Sequence, residues 1–384
     1  MILTNAHIIM KDEVIHGTVV IEQDLIKSVE TGRTHVKDAI DLEGAYLAPG
    51  LVELHTDNLD KFFAPRPKVD WPAFSAMRSH DALIIASGIT TVLDAISIGD
   101  ERDGGHRLNN LTKMLDVINY TQSMNLNRAE HRLHLRCELP SEFTLPLFEY
   151  LIEKEDISLV SLMDHSPGQR QYTSIEKYRE YFQGKYHFTD EKMAEYEIVQ
   201  CAKAQTYSHT NRHTIANLCK EANIALASHD DATREHVLES KEIGCSIAEF
   251  PTTLEAALAS QARGIKVLMG APNIIRGGSH SGNISASSLA SQSALDILSS
   301  DYYPQSLLEA AYKVASDPTN SFTLPQAIQL VTYNPAASLG LFDRGEIIEG
   351  KLADLVMFRP HLHQIENTSE VMIERVWCKG KQVF

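Results

Sequence analysis

Between residues 49 and 334 the chain alternates, eight times over, a short apolar run of β type with a stretch of helical character. The runs are Leu51–Asp57, Ile89–Ala95, Leu133–Glu138, Ile157–Asp164, Ile224–His229, Ser246–Phe250, Val267–Gly270 and Leu295–Asp301. Helical period shows in the gaps, as at Leu108, Leu111, Leu115 and Ile118, spaced i, i+3, i+7, i+10. Consecutive parallel strands need a crossover helix, so eight such repeats imply an α/β fold closed as a (β/α)8 TIM-like barrel. Chemistry in that fold belongs at the C-terminal ends of the strands.

The 384 residues exceed the roughly 250 that such a barrel uses. The surplus lies at the two ends. Short β-type runs at Ile2–Thr4, Val14–Ile15, Thr18–Ile21 and Leu25–Ile26 precede the barrel, and Ala353–Phe358, Val371–Ile373 and Arg375–Trp377 follow it. Neither end carries enough apolar surface for a core of its own. They are expected to close on each other as one small β-sandwich, dividing the chain at 1–48, 49–334 and 335–384.

A formal charge of −16 argues against nucleic acid and anionic membrane surfaces as general partners. It leaves room for a small anionic substrate, because clustered Arg and Lys can make a local positive pocket. Lys11, Asp12 and Glu13 come too early for a signal peptide's apolar segment, and no run of about 18 apolar residues is present. Five cysteines, with no close pair, suggest reduced thiols in a cytoplasmic protein. Whether the chain acts alone or as a homo-oligomer stays open.

The polar residues that end the runs carry the chemistry. In a strand His55 and Asp57 point the same way, about 7 Å apart, which makes half of a metal site. In the third run Leu133, Leu135 and Cys137 alternate with His134, Arg136 and Glu138, so a barrel would carry Arg136 and Glu138 inside. An unpartnered acid there would cost several kcal/mol, so a counter-charge or an ion is expected. The fourth run leads into Asp164-His165, the fifth ends at His229 and the eighth at Asp301. The set His55, Asp57, Glu138, His165, His229 and Asp301 has the mix of imidazole and carboxylate that suits one or two divalent ions, zinc first, with manganese or iron as the other candidates. Around it lie Lys61, Arg66, Lys68, Arg136, Arg170 and Arg276. The segment Arg276-Gly277-Gly278-Ser279-His280-Ser281-Gly282 adds glycines for close backbone approach, with Ser279 and His280 as donors for phosphoryl oxygens. It is not a Walker loop, which would end in Gly-Lys-Ser/Thr. The long polar connection from 165 to 223, with an expected helix at Ser174–Phe182, is a candidate lid.

A His-x-Asp after the first strand, an acid on the third, two later histidines and a final Asp resemble the amidohydrolase superfamily. Leu47–His55 and Glu349–Val356, at the two junctions with the terminal segments, strengthen the resemblance. The longer stretches His55–Lys61, Pro65–Pro72, Met163–Arg170, Ala227–Asp231 and Gly277–Asn283 resemble the branch that hydrolyses the 5-triphosphate of a phosphonate-bearing ribose in the carbon–phosphorus lyase pathway. That resemblance implies release of pyrophosphate, with the 5-phosphate left behind. Asp57 stands where the wider superfamily more often has a second His, and Glu138 where many members carry a carboxylated Lys. Asp301 is expected to take the proton of the attacking water. The rival activity for this barrel is a cyclic amidase or deaminase, which would have little use for so many cations; the non-enzymatic rival is an inactive subunit of an assembly.

Overall fold

The structure, a computed structural model, describes residues 1–66, 69–99, 106–172, 175–279, 282–363 and 368–384. Lys68 and His280, both expected at the site, lie outside these residues. The chain forms two compact units: Met1–Asp94, Met114–Arg132 and Met269–Phe384 in the first, Ala95–Lys113 and Leu133–Leu268 in the second.

In the first unit the chain ends build a mixed sheet. Its strands are β1 (Ile2–Ile9), β2 (Val14–Glu22), β3 (Leu25–Thr31), β4 (Ile40–Asp41) and β5 (Tyr46–Pro49), with β14 (Leu355–His363), β15 (Thr368–Cys378) and β16 (Lys381–Gln382). Their order is β16-β15-β14-β5-β1-β2-β3, and β4 pairs with β1 off that path. Both ends contribute, as the sequence implies. β5 is the seam: it runs parallel to β1 on one side and antiparallel to β14 on the other, Leu355 opposite Pro49 and Phe358 opposite Tyr46. Leu3, Ile8, Val19 and Leu47 from one end pack with Leu355 and Trp377 from the other in one buried cluster. Each such side chain contributes about 1.5–3 kcal/mol by leaving water, and only the joined ends can supply that burial.

A turn at Gly50 leads directly from β5 into the first barrel strand. A Cβ at Gly50 would run into the Thr90 side chain, so only glycine allows this approach. Eight parallel strands then follow in one sheet, in sequence order: β6 (Leu51–Thr56), β7 (Ile89–Ile98), β8 (Glu130–Glu138), β9 (Ile157–Met163), β10 (Ala225–His229), β11 (Ile247–Glu249), β12 (Lys266–Gly270) and β13 (Ile297–Ser299). A parallel bridge from Thr56 to Asp301 links the last segment to the first, and the barrel is nearly closed. All eight apolar runs are strands, and the periodic gap at 108–118 is a helix, His106–Ser123.

The second unit carries the insertion between β9 and β10. Helix Ile175–Tyr186 stands where one was expected, although Ser174 lies outside the described residues. Helix Asp190–Lys203 follows, its first turn closed by the Thr189 side chain, then a π turn at Ala204–Ser208 and helix His209–Glu221. Tyr172, Tyr178, Phe182 and Met193 give the insertion its own small core. Among the described residues no helix is long and apolar enough to cross a membrane.

Candidate metal centres

In the first unit β6 carries a fixed carboxylate in its middle. Glu53 is fully buried, and its oxygens accept from the His55 N–H at 2.7 Å, Ser299 Oγ at 2.8 Å and the Ser300 N–H at 2.6 Å. Burial pushes the Glu53 carboxyl upward, and these donors pull against it. The effect is to rivet β13 to β6. Two further bonds cross the seam, Asp301 N–H to the His55 carbonyl at 3.1 Å and Asp57 N–H to the Asp301 carbonyl at 3.2 Å. His55, Asp57 and Asp301 are thereby brought together, one ligand atom of each within 4.8 Å of the others, and His55 Nε2 lies 3.5 Å from Asp57 Oδ1. Asp301 takes a left-handed backbone, φ +53°, which Asp and Asn tolerate better than most residues.

The second unit holds another set. Glu138, the last residue of β8, accepts from the His165 N–H at 3.2 Å and lies 2.7 Å from His165 Nδ1. His229, the last residue of β10, places Nδ1 3.1 Å from Glu249 Oε2. With both Nδ1 atoms engaged, the Nε2 atoms approach one carboxylate: Asp230 Oδ2 is 3.8 Å from that of His165 and 3.5 Å from that of His229. His165, His229 and Asp230 again fall within 4.8 Å of one another. Carboxylates that fix the far nitrogen of a ligating His are the usual support for a metal site. The donors in both sets are imidazole nitrogen and carboxylate oxygen, so each set fits a borderline divalent ion.

The sequence reading missed Glu249 and its neighbours. Glu249 also accepts from Ser161 Oγ at 2.5 Å, and Ser161 in turn lies 2.6 Å from His134 Nε2. Since that hydroxyl's one proton goes to Glu249, its oxygen accepts from His134. The only signal in the sequence was an acid in the short run Ser246–Phe250. Asp230 lies in the Ala227–Asp231 stretch, where it follows His229 directly and nothing in the residue pattern alone marks it as a ligand.

The expected cations separate by environment. Lys61 is exposed and donates to the Tyr302 carbonyl at 2.9 Å; exposed Arg276 places Nη1 3.5 Å from the Tyr302 hydroxyl. Arg66 is exposed, Ser279 half-buried, and Arg136 half-buried on β8. Arg170 is placed otherwise than expected of a substrate ligand. It is 2% exposed and paired with Asp231 and Glu239, so carboxylates of its own unit take up its charge.

A match to the amidohydrolase family spans residues 46–383. The chain belongs to the amidohydrolase family. It is 60% identical, over the full length of both chains, to the alpha-D-ribose 1-methylphosphonate 5-triphosphate diphosphatase of Escherichia coli (strain K12). Among solved amidohydrolase-fold structures, the 5-methylcytosine deaminase from Klebsiella pneumoniae superposes with TM-score 0.64 at 14% identity, covering 100% of this chain and 98% of that one. The N-acetyl-D-glucosamine-6-phosphate deacetylase from Mycobacterium smegmatis gives 0.63 at 15%, covering 100% of each. At those identities the likeness shows the fold alone. This amidohydrolase carries Asp57, rather than His, as the second residue of its first-strand pair.

Proposed function

We propose that this chain hydrolyses alpha-D-ribose 1-methylphosphonate 5-triphosphate to the 5-phosphate and pyrophosphate, a step of phosphonate catabolism. The observation that carries the reading is its identity to the Escherichia coli diphosphatase over every part of both chains. His55, Asp57 and Asp301 would hold one divalent ion, and His165, His229 and Asp230 a second, with Glu138 and Glu249 orienting the imidazoles. Zinc is the first candidate, manganese and iron(II) the others. Bound ions would supply Lewis-acid charge beside the phosphoryl oxygens and make water a better proton donor.

The chain's own groups do the rest. Asp301 accepts one proton from the attacking water. The water oxygen bonds to phosphorus, and the bond to the departing pyrophosphate breaks. Lys61 and Arg276 neutralise charge spreading over the phosphoryl oxygens, a large term in phosphoryl transfer. Arg66 and Ser279 are further candidates for the phosphate chain. The partner is a small phosphorylated sugar, and the net charge of −16 disfavours polyanions. We place the protein in the cytoplasm, on the support of five unpaired cysteines, four of them buried. Supplying the purified, metal-loaded protein with the ribose triphosphate and, separately, with a dihydropyrimidine tests the reading. Pyrophosphate from the first and no ring opening of the second is expected; the reverse overturns it.

A further inference from the structure

Tyr302 directly follows the proposed base and reaches both cations assigned to the phosphate chain. Its carbonyl accepts from Lys61 Nζ at 2.9 Å, and the same ammonium lies 5.4 Å from its ring centroid. Its hydroxyl is 3.5 Å from Arg276 Nη1. Lys61 belongs to helix Asn58–Phe63, which follows β6, and Arg276 ends helix Ala271–Arg276, which follows β12. One half-buried residue therefore lies between two exposed cationic heads that different strands deliver, meeting Lys61 with its backbone carbonyl and ring and Arg276 with its hydroxyl.

We propose that Tyr302 sets the spacing of Lys61 and Arg276, and so selects the length of phosphate chain that the enzyme accepts. This rests on the reading of the chain as a triphosphate hydrolase. Both cations sit on long, flexible stems, and left alone they would follow an anion of any length. Holding them one tyrosine apart fixes the distance before substrate arrives, which removes part of the ordering cost for a matching chain and none for a shorter one. The contacts are sparing. An ammonium has three donors and a guanidinium five; Tyr302 takes one of each and Asn58 Oδ1, 3.5 Å from Lys61 Nζ, a second from the ammonium, which leaves one donor on Lys61 and four on Arg276 for phosphoryl oxygens. Tyr302 is a positioning and specificity residue on this account, acting through the two cations.

The test compares wild type, Tyr302→Phe, Tyr302→Leu, Arg276→Ala and the Tyr302→Phe/Arg276→Ala double variant. Two readouts are taken: calorimetric affinity for inorganic tripolyphosphate against pyrophosphate, and kcat and KM on the ribose 5-triphosphate against the 5-diphosphate. Wild type should favour the longer chain in both. Tyr302→Phe, which keeps the ring, should narrow that preference about tenfold through KM rather than kcat, the size of one lost hydrogen bond to a charged group. Tyr302→Leu should narrow it further, and the double variant should match Arg276→Ala alone. An unchanged preference in Tyr302→Phe, or multiplying effects of Tyr302 and Arg276, overturns the proposal. Selective tripolyphosphate binding by a wild type that releases no pyrophosphate would instead sink the proposed reaction and leave the role of Tyr302 standing.

Discussion

Arg170 Nη2 lies 2.8 Å from Glu239 Oε2, and the same guanidinium pairs with Asp231. The other Glu239 oxygen is 3.5 Å from Arg212 Nε, and Arg212 reaches Asp164 at 3.9 Å. Asp164 immediately precedes His165, and Asp231 immediately follows Asp230, so two buried arginines fasten the backbone on either side of the second cluster. Burial, with Arg212 nearby, pulls Arg170 down to about 10, which leaves it charged at neutral pH. Arg170→Ala would strand Asp231 as a buried charge, and breaking a buried pair costs about 3–5 kcal/mol. Glu239 is more than a third exposed, so water can take over from it. Thermal unfolding should show a large loss for Arg170→Ala and a small one for Glu239→Gln; equal shifts would refute the ranking.

Metal removal has a sharper signature. Chelation should abolish pyrophosphate release and zinc should restore it, with elemental analysis finding one ion per cluster. His55→Ala should empty the first cluster and spare the second. A third group, His80, Asp94 and His131, also brings its ligand atoms within 4.8 Å. There both Asp94 oxygens already meet imidazoles, at 2.6 Å and 2.8 Å, so that group should stay free of metal. A third ion per chain would contradict this.

The barrel was legible because buried parallel strands read as continuous apolar runs. β9 begins where its run begins, at Ile157. β8 starts earlier than its run, at Glu130, because Glu130 and Arg132 look like loop until Arg344 is seen 3.1 Å from Glu130. The parallel pairing of β1 with β5 left no mark, since its partners are set by chain closure rather than by pattern. His55, Asp57 and Asp301 could be read because each interrupts an apolar run at its end. The left-handed backbones of Asp230 and Asp301, φ +57° and +53°, could not, nor could the burial that gives Arg170 to two carboxylates.

That left-handed turn makes Asp301→Asn a clean probe. Asn tolerates the same backbone region, so the substitution removes the negative charge without the strain of about 1–3 kcal/mol that other residues meet there. Turnover should fall by about 10²–10⁴, the usual worth of a general base, with the melting temperature little changed. A variant with near-normal kcat would remove Asp301 from the proton-accepting role.

His131 sets an alkaline limit on stability. It is fully buried between Asp94, 2.8 Å from Nδ1, and Asp81, 3.4 Å from Nε2. Burial opposes the charged ring, yet the two carboxylates overcome it and raise the pKa to about 9, from an ordinary 6.5. A raised value means that the folded state holds the proton more tightly than the unfolded chain does. The stabilisation is therefore complete below about pH 6.5 and is lost as pH climbs through 9, a linkage on the order of 3 kcal/mol. Asp81 works at the other end. Burial pushes its carboxyl up, but His131, the Ala129 N–H and Arg128 bring it down to about 2, so its contribution disappears only as pH falls through that value. Urea unfolding of the wild type should lose stability steadily from pH 7 to pH 10. His131→Gln should be weaker at pH 7 and nearly flat over the same range, because its side chain has no proton to release. A variant that retains the wild-type slope would show that another group gives up the proton.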